Sequence, residues 1–311
     1  MTAIQIENLQ KFYGQVHALD GLSLQVQAGS VFGFLGPNGA GKSTTIRLLT
    51  GLAHPTGGQA WVAGVDVRRS QQVAARIGYL PEEPAFYNWM TPPEFLDHVA
   101  RLFGFKAADR KIRTTELLEQ VGLSEVRKRR IGGFSRGMRQ RLGLAQAMYN
   151  HPEVLFLDEP VSALDPAGRK EILDLIRHLR QRSTVFMSTH ILADVERVCD
   201  TVGIINRGRL VVEARQDELL ARYTIPAFEL ECDPGLEETF KAWCDSLVVA
   251  GWASSVVVNG TTARVIVKDV IQARQALLAR VAADGLALRR YEIVTPSLED
   301  IFLRLVNGES R

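Results

Sequence analysis

Glycine, lysine and hydroxyl residues lie close together in the segment GPNGAGKST, residues 36–44. The segment matches the spacing G-x-x-x-x-G-K-[ST] and directly follows the apolar run VFGFL. Glycines let backbone N–H groups converge on phosphate oxygens, and the N-terminus of the following helix adds partial positive charge. In such a loop Lys42 reaches the β- and γ-phosphates, and the Ser43 hydroxyl binds Mg²⁺. The segment therefore predicts a phosphate site formed by Gly36, Pro37, Asn38, Gly39, Ala40, Gly41, Lys42, Ser43 and Thr44.

Two acidic residues follow another apolar run, in VLFLDEP at residues 154–160. A buried strand that ends at Asp158 puts this carboxylate at the carboxyl edge of a sheet, near the phosphate loop. It suits Mg²⁺ binding there, directly or through water. Glu159 is expected to point the other way and to polarise an attacking water. Without the phosphate loop upstream, the pair would also fit a solvated acidic strand end.

The elements that must position these residues follow an α/β pattern. VFGFL, VLFLD, TVFMS and VGIIN are continuous apolar runs, which are typical of strands buried on both faces of a parallel sheet. Helical patterns lie between them at 42–50, 166–181 and 192–199. Between about 85 and 150 the strand signal disappears, and helical patterns at 92–103, 111–121 and 138–149 predict a helical subdomain inserted into the α/β core.

The pattern changes again after about residue 222. AFELEC predicts a strand and 236–247 a helix. The segments SSVVV and TARVIVK, with the turn NG between them, predict a hairpin, because Asn-Gly favours a primed two-residue turn. A helix at 269–283, the strand LRRYEIV and a closing helix at 298–306 complete the order β-α-β-β-α-β plus a helix. This order predicts a small α+β ferredoxin-like domain.

Composition excludes some classes of protein. The chain has 311 residues, 46% hydrophobic residues and a net charge of +2, which is ordinary for a globular protein and argues against a nucleic-acid partner. A signal peptide and a membrane-spanning helix are not expected. The three cysteines have no metal-ligand spacing and are expected to be reduced thiols. The basic run RKRR at 127–130 favours a solvated charged face over a contact with nucleic acid or anionic lipid.

The phosphate loop and the acidic strand end together resemble the ATP-binding subunits of ATP-binding cassette (ABC) transporters, over about residues 4–220. The resemblance implies a P-loop NTPase core that binds ATP and Mg²⁺ and hydrolyses ATP. It also implies a head-to-tail dimer, of this chain or with a close paralogue, in which each ATP touches the phosphate loop of one subunit and a signature motif of the other. We expect an ABC nucleotide-binding domain at 1–221 and an accessory domain at 222–311.

Three further segments correspond to functional positions of the family. Tyr13, in KFYG, falls where an aromatic residue stacks on adenine, although it also fits a half-buried strand position. His190 ends the segment STH, which directly follows the strand TVFM, and it resembles the histidine that contacts the γ-phosphate. SALD, at 162–165, matches the loop that contacts the opposite subunit; Asp165 fits that contact, the N-cap of the following helix, or both.

FSRGM, at 134–138, occupies the place of the family's signature motif. Ser135 can give a hydroxyl hydrogen bond and Gly137 lets backbone approach a phosphate, whereas Arg136 and Met138 differ from the family's commonest residues. The helix that begins here is expected to aim its positive end at the γ-phosphate of ATP held by the partner. Arg136 either contacts that phosphate or faces solvent.

A second departure lies in IGYLPEEP, where Glu82 stands in place of the family's usual glutamine. A carboxylate there could still bind the metal or the water, so Glu82 joins Ser43 and Asp158 as a candidate metal ligand. The following AFYNWM fits two interpretations: part of the groove that accepts a coupling helix of the membrane subunit, or the core of the helical subdomain.

The tail TPSLEDIFLRLVNGE resembles the ending of ATPase subunits of ABC-2-type exporters and permeases. This resemblance implies a separate transmembrane permease and a location at the cytoplasmic face of the cell membrane. The transported substrate is left open. Two alternatives also remain open: a soluble ABC ATPase without a membrane partner, and a slow nucleotide-dependent regulatory protein. An ATPase rate measured with and without membranes separates them.

Overall fold

The computed structural model describes residues 1–223, 227–249, 253–267, 269–294 and 302. The chain forms two compact units, one containing Met1–Gln216 and the other Asp217–Arg304. The closing helix expected at 298–306, and most of the tail, lie outside the described residues apart from residue 302. None of the helices in the described part of the chain is long and apolar enough to span a membrane.

The first unit contains two sheets and seven α-helices in its described residues. In chain order its elements are β1 (Thr2–Tyr13), β2 (Val16–Gln27), β3 (Val31–Leu35), α1 (Lys42–Leu49), β4 (Gly57–Val62), β5 (Val65–Asp66), α2 (Ser70–Ala74), β6 (Ile77–Leu80), α3 (Pro92–Leu102), α4 (Ala107–Gln120), α5 (Arg136–Ala147), β7 (Val154–Asp158), α6 (Pro166–Leu179), β8 (Thr184–Thr189), α7 (Leu192–Val198), β9 (Thr201–Asn206) and β10 (Arg209–Arg215). The helix α8 (Gln216–Tyr223) follows.

A six-stranded sheet in the order β10-β9-β3-β8-β7-β6 forms the centre of this unit. Its strands are parallel except for β10 at one edge, and every residue of β3, β7 and β8 is buried, as the continuous apolar runs predict. Leu35 pairs with Thr189, and Asp158 pairs with Ser188. Because these residues end neighbouring parallel strands, the segments that follow them meet at one edge of the sheet.

The second sheet, in the order β2-β1-β4-β5, was not anticipated from the sequence. It is antiparallel, and its two longest strands have several register shifts that interrupt the regular alternation of buried and exposed residues. Its inner face shares one core with the parallel sheet, which includes Leu9, Leu22 and Phe32. The ring of Phe32 stacks on that of Phe186, with centroids 5.3 Å apart.

The helices α3, α4 and α5 form the predicted helical subdomain. Two of them begin earlier than their patterns predict, α4 at Ala107 and α5 at Arg136. The earlier start of α5 follows from its N-cap, because the Ser135 hydroxyl accepts a hydrogen bond from the Met138 amide at 3.2 Å. In α3, Thr91 and Glu94 form a reciprocal capping box.

The second unit has the predicted ferredoxin-like order. Its elements are β11 (Ala227–Cys232), α9 (Glu237–Val249), β12 (Ala253–Asn259), β13 (Thr262–Val267), α10 (Val270–Ala283) and β14 (Leu288–Val294). The antiparallel sheet has the order β12-β13-β11-β14. Asn259 pairs with Thr262, so the two turn residues are Gly260 and Thr261 rather than Asn259 and Gly260.

The three cysteines are buried and unpaired, as expected for reduced thiols. Cys199 lies in the first unit, and Cys232 and Cys244 lie in the core of the second. Burial raises the pKa of Cys244 to about 12, so this thiol is held in its protonated form.

Candidate functional site

A cleft of about 380 Å³ opens at the carboxyl edge of the parallel sheet. It is lined by Val16, His17, Ala18, Asn38, Gly39, Gly41, Lys42, Ser43, Thr44, Glu82, Glu159 and His190. Segments far apart in the sequence therefore meet here because parallel strands deliver them to the same edge. Val16, His17 and Ala18, at the start of β2, were missed by sequence reasoning, since the sheet that carries them was not predicted.

The phosphate loop has the backbone that an anion site requires. Gly39 has a φ of +78° and nothing within 4 Å of the position of a Cβ, so the loop surface is open at this residue. Gly41 has a φ of +113°, and a Cβ there would lie 2.7 Å from the Ala18 carbonyl oxygen. The helix α1 begins at Lys42 with no side-chain cap and no acid in its first turn. Its first amides are therefore available to a phosphate.

Lys42 is held inside the loop. Its side chain is buried, and Nζ donates to the carbonyl oxygens of Gly36 at 2.7 Å and Pro37 at 3.3 Å. Burial lowers the pKa of Lys42, while the nearby carboxylates of Glu159, Asp158 and Glu82 act in the opposite direction. The Lys42 amine thus lies beside the open loop surface. Phosphate oxygens can replace the two carbonyl oxygens that now accept its hydrogen bonds.

Asp158 and Glu159 lie at the end of β7 and are both nearly buried. The Ser188 hydroxyl donates to Asp158 Oδ1 at 2.5 Å, and the Glu159 amide donates to the Ser188 carbonyl at 3.1 Å. Ser188 was missed as a site residue, although its place directly before Thr189 and His190 on β8 is a signal that could have found it. It fixes the orientation of the Asp158 carboxylate.

Glu159 has a left-handed backbone, with a φ of +49°. A non-glycine residue in this conformation stores about 1–3 kcal/mol of strain, which tends to be found at functional sites. Its Oε1 lies 2.9 Å from Nδ1 of His190, whose side chain is half exposed. The strained turn therefore directs Glu159 into the cleft beside His190, while Asp158 stays on the strand.

The residues present fit a Mg²⁺–triphosphate. Three carboxylates lie near Lys42, so a triphosphate entering this cleft needs a cation to offset their charge. No group of three or more His, Cys, Asp or Glu side chains in the described residues could hold a metal ion. Mg²⁺ usually binds through one or two carboxylates plus substrate phosphates. Ser43, Asp158 and Glu82 supply the protein part of such a donor set, and a nucleotide would supply the rest.

Tyr13 lies at the end of β1, paired with Val16, and is not among the residues that line the cleft. Its ring is about half exposed, and Nζ of Lys11 lies 4.8 Å from the ring centroid. His17, which lines the cleft, contacts the ring of Phe12 at 4.3 Å between centroids. The predicted adenine contact of Tyr13 stays a prediction.

The signature residues lie outside the cleft of their own chain. Ser135 caps α5, and a Cβ on Gly137 would lie 3.0 Å from Leu164 Cδ2, so the helix start packs against the SALD loop. Asp165 caps α6, since its Oδ1 accepts from the Gly168 amide at 3.0 Å. Neither Ser135 nor Gly137 is among the residues that line the cleft.

Two of the residues that depart from the family's motifs, Arg136 and Glu82, are solvent-exposed, and the third, Met138, is half-buried. The side chain of Arg136 is 62% exposed and its Nη2 lies 3.9 Å from Oε1 of Glu83, which is a loose surface pair. Glu82 is also exposed but lines the cleft. Glu82 therefore lies at the cleft, while Arg136 faces solvent in this chain.

Different residues of the aromatic segment AFYNWM fit its two interpretations, the subdomain core and a surface for a partner. Phe86 is half-buried and packs edge-on against the buried Phe95 of α3, with ring centroids 5.0 Å apart, which fits the core interpretation. Tyr87 and Trp89 are 50% and 64% exposed, and their rings lie 6.1 Å apart. These two side chains form an exposed aromatic pair, which is available to a partner.

Comparisons with known proteins agree with this geometry. The family model for ABC transporters matches residues 19–162, and the model for the DrrA1-3-like C-terminal domain of ATP-binding proteins matches residues 216–306. The chain is 40% identical to the uncharacterized ABC transporter ATP-binding protein YxlF of Bacillus subtilis over 305 residues, covering 98% of this chain and 100% of that protein. It is 36% identical to the daunorubicin resistance ATP-binding protein DrrA2 of Streptomyces coeruleorubidus, covering 97% and 94%.

A solved dimeric ATP-binding cassette, bound to ADP and Pi in a post-hydrolysis state, has the same fold. Its TM-score is 0.64 at 22% identity, over 68% of this chain and 98% of that one. The P-loop NTPase fold and the resemblance drawn from the sequence are thus confirmed. The open phosphate loop, the buried acidic pair and the full-length relatives agree: the chain belongs to the family of ATP-binding subunits of ABC transporters, and it is an ATPase of that family.

Proposed function

We propose that this chain is the ATPase subunit of an ABC-2-type exporter, in which ATP binding joins two copies head to tail and hydrolysis separates them. The observation that carries the proposal is the placement of Ser135 and Gly137 at a helix start outside their own cleft. A helix N-terminus favours a phosphate, and in this chain that of α5 is not used by the chain's own cleft. A second copy supplies that phosphate.

The proposed catalytic residues have distinct tasks in hydrolysis. Glu159 orients and polarises the water that attacks the γ-phosphorus, and His190 holds the γ-phosphate beside it. Lys42 and the loop amides stabilise the charge that develops as ADP leaves. Ser43, Asp158 and Glu82 would hold Mg²⁺, which would supply positive charge to offset that of the phosphates. Ser188 keeps the Asp158 carboxylate in place.

Glu159→Gln tests the assignment of the water-polarising group. The variant keeps the size and the contact to His190 but removes the negative charge, so turnover is expected to fall by about 10²–10⁴-fold. ATP binding and ATP-driven dimerisation are expected to persist, as measured by equilibrium binding and size-exclusion chromatography. A steady-state ATPase rate close to that of the unmodified chain would contradict this role.

The proposed partner is a separately encoded transmembrane permease, which places the chain at the cytoplasmic face of the membrane. Tyr87 and Trp89 support a docking surface, because two large aromatic side chains are exposed side by side. Trp89→Ala is expected to reduce membrane-stimulated ATPase activity at least about tenfold while the activity without membranes stays unchanged. Leu102→Ala, which removes a 76% exposed apolar side chain elsewhere on the subdomain, is the control.

Membranes for this experiment come from cells that express the permease encoded beside the chain. Equal stimulation of Trp89→Ala and the unmodified chain would exclude this surface. An ATPase rate that no membrane preparation changes would favour the slow regulatory alternative instead.

We further propose that the boundary between the two domains lies near residues 216–221 of the sequence, with the ABC domain at 1–221 and the accessory domain at 222–311. Two observations support this division. The compact units separate between Gln216 and Asp217, and the family model for the C-terminal domain begins at residue 216.

A further inference from the structure

The helical subdomain contains a cavity of about 620 Å³, larger than the cleft at the phosphate loop. It lies between α3, α4 and the turn that follows α4, and no function is yet assigned to it. Its lining residues are Thr91, Pro93, Asp97, Ala107, Arg110, Lys111, Thr114, Thr115, Leu118, Ser124, Arg127 and Lys128. A volume of this size is typical of sites for small organic molecules.

Positive charge converges on this cavity from two separate segments. Arg110 and Lys111 come from α4, and Arg127 and Lys128 come from the basic run after it. Against these four cations, Asp97 is the only carboxylate among the described lining residues. The cavity therefore has an excess of three positive charges.

The single carboxylate is already neutralised. Asp97 accepts from Arg110 Nε at 2.6 Å and from Arg101 Nε at 2.8 Å, and the hydrogen bond from Arg110 is the main cause that lowers the pKa of Asp97. In the part of the chain that the structure describes, Lys111, Arg127 and Lys128 have no ion-pair partner within 4.0 Å. Three unpaired cations thus face one concave surface.

The remaining lining residues suit an organic anion rather than an inorganic ion alone. Pro93, Ala107 and Leu118 provide apolar contacts for a carbon skeleton, and Ser124 is also among the lining residues. Lysine and arginine are the usual binding groups for phosphate in proteins. The alternative interpretation, a solvated charged face, needs no such cavity. A ligand site predicts binding that depends on the cavity, whereas a solvated face predicts binding that depends on charge alone.

We propose that this cavity binds a phosphate-bearing organic ligand, held by Lys111, Arg127 and Lys128. Two kinds of molecule carry such a phosphate group: an anionic phospholipid, in its headgroup, and a soluble organic phosphate. The site is separate from the nucleotide cleft, with which it has no lining residue in common.

Two binding measurements on the full chain distinguish these sources, both with the nucleotide cleft saturated with ADP. One uses vesicles of phosphatidylglycerol, with phosphatidylcholine vesicles as the reference; the other titrates glycerol 3-phosphate and inositol trisphosphate by calorimetry. Binding in either arm supports the site and identifies its source. Binding in neither arm overturns the proposal.

The charge requirement is tested by Lys111→Gln, Arg127→Gln and Lys128→Gln combined in one chain. Affinity is expected to fall about tenfold, because the three charges proposed to bind the phosphate group are removed together. Lys170→Gln, Arg177→Gln and Arg207→Gln together remove the same charge from exposed positions outside the cavity and are expected to leave affinity unchanged. An equal loss in both variants would show non-specific attraction and overturn the proposal.

The cavity requirement is tested by Ala107→Trp, which fills the cavity without changing its charge. Binding is expected to be lost, while ATPase activity and the melting temperature confirm that the chain is folded. If Ala107→Trp binds as tightly as the unmodified chain, the cations act as a diffuse surface and the cavity is not the site.

Discussion

At the scale of single residues, the catalytic assignment depends on a few atoms around Glu159. The strained backbone of Glu159 separates it from Asp158, so that neighbouring acids in sequence face different groups. Asp158 accepts from Ser188, and Glu159 lies against His190. Two carboxylates can thus take different tasks because one residue leaves the extended backbone of the strand.

Ser188→Ala is expected to raise the Mg²⁺ concentration that hydrolysis requires. The hydroxyl donates to Asp158, so its loss frees a carboxylate that we propose as a metal ligand. Loss of such an outer hydrogen bond typically weakens metal affinity about 10–100-fold, so the Mg²⁺ concentration for half-maximal ATPase activity is expected to rise by about tenfold or more.

Ser183→Ala is the matched control for this experiment. The Ser183 hydroxyl is buried and donates to the Pro152 carbonyl oxygen at 2.6 Å, just before β8 begins. Both variants are expected to lose about 1 kcal/mol of unfolding free energy in urea titrations. Only Ser188→Ala should change the Mg²⁺ titration; identical titrations for the two variants would show that Ser188 has a structural role alone.

At the scale of elements, the aim of the signature helix depends on how α5 packs on the sheet. A Cβ on Gly78 of β6 would lie 1.8 Å from the carbonyl oxygen of Ala147, at the end of α5. The helix and the strand are therefore in backbone contact, which only glycine allows. Since α5 begins at the residue after Ser135, this contact also fixes the orientation of the signature motif.

Gly78→Ala is accordingly expected to displace α5. The overlap is with backbone, which a side-chain rotation cannot relieve, so the unfolding free energy should fall by about 3 kcal/mol or more and ATPase activity should fall with it. Gly64→Ala is the control: its φ is +75° but nothing lies within 4 Å of a Cβ there, so only backbone strain of about 1 kcal/mol is expected. Equal losses in urea titrations would argue against the packing explanation.

At the scale of the whole molecule, the two parts of the proposed composite site do not meet in one chain. The phosphate loop, Glu159 and His190 line the cleft, whereas Ser135 and Gly137 lie elsewhere. A head-to-tail dimer with twofold symmetry would bring the cleft of each copy to the signature motif of the other. The number of complete sites then depends on which copies are paired.

A mixing experiment tests this arrangement. Lys42→Ala removes the phosphate lysine and Ser135→Arg blocks the signature motif, so each variant alone is expected to be inactive. In an equal mixture, half of the randomly formed dimers contain both variants and have one intact site. About a quarter of the unmodified ATPase activity is therefore expected to return if the sites act independently.

The control mixture combines Lys42→Ala with Glu159→Gln. Both changes lie in the same half-site, so no dimer of these variants has an intact site and no activity should return. If the first mixture also stays inactive while both variants remain folded and dimerise, the signature motif does not act across subunits.

The sequence alone determined the chemistry of the site, because that chemistry depends on residue types at short, fixed spacing. The loop around Lys42, the acids after β7 and the histidine after β8 each follow a buried apolar run, and parallel strands must bring such ends together. The ferredoxin-like order of the second unit was also readable, since its strands and helices alternate with clear turn signals.

Tertiary structure decided the features that depend on contacts between distant segments. The antiparallel sheet that carries Tyr13 and His17 was not readable, because bulges disturb the alternation of its strands. The bond from Ser188 to Asp158 requires the register of two neighbouring strands. The cavity near Lys111 and Arg127 forms only because α4 and the turn after it face the same space. A sequence states which groups are present; only packing over long distances along the chain decides which of them meet.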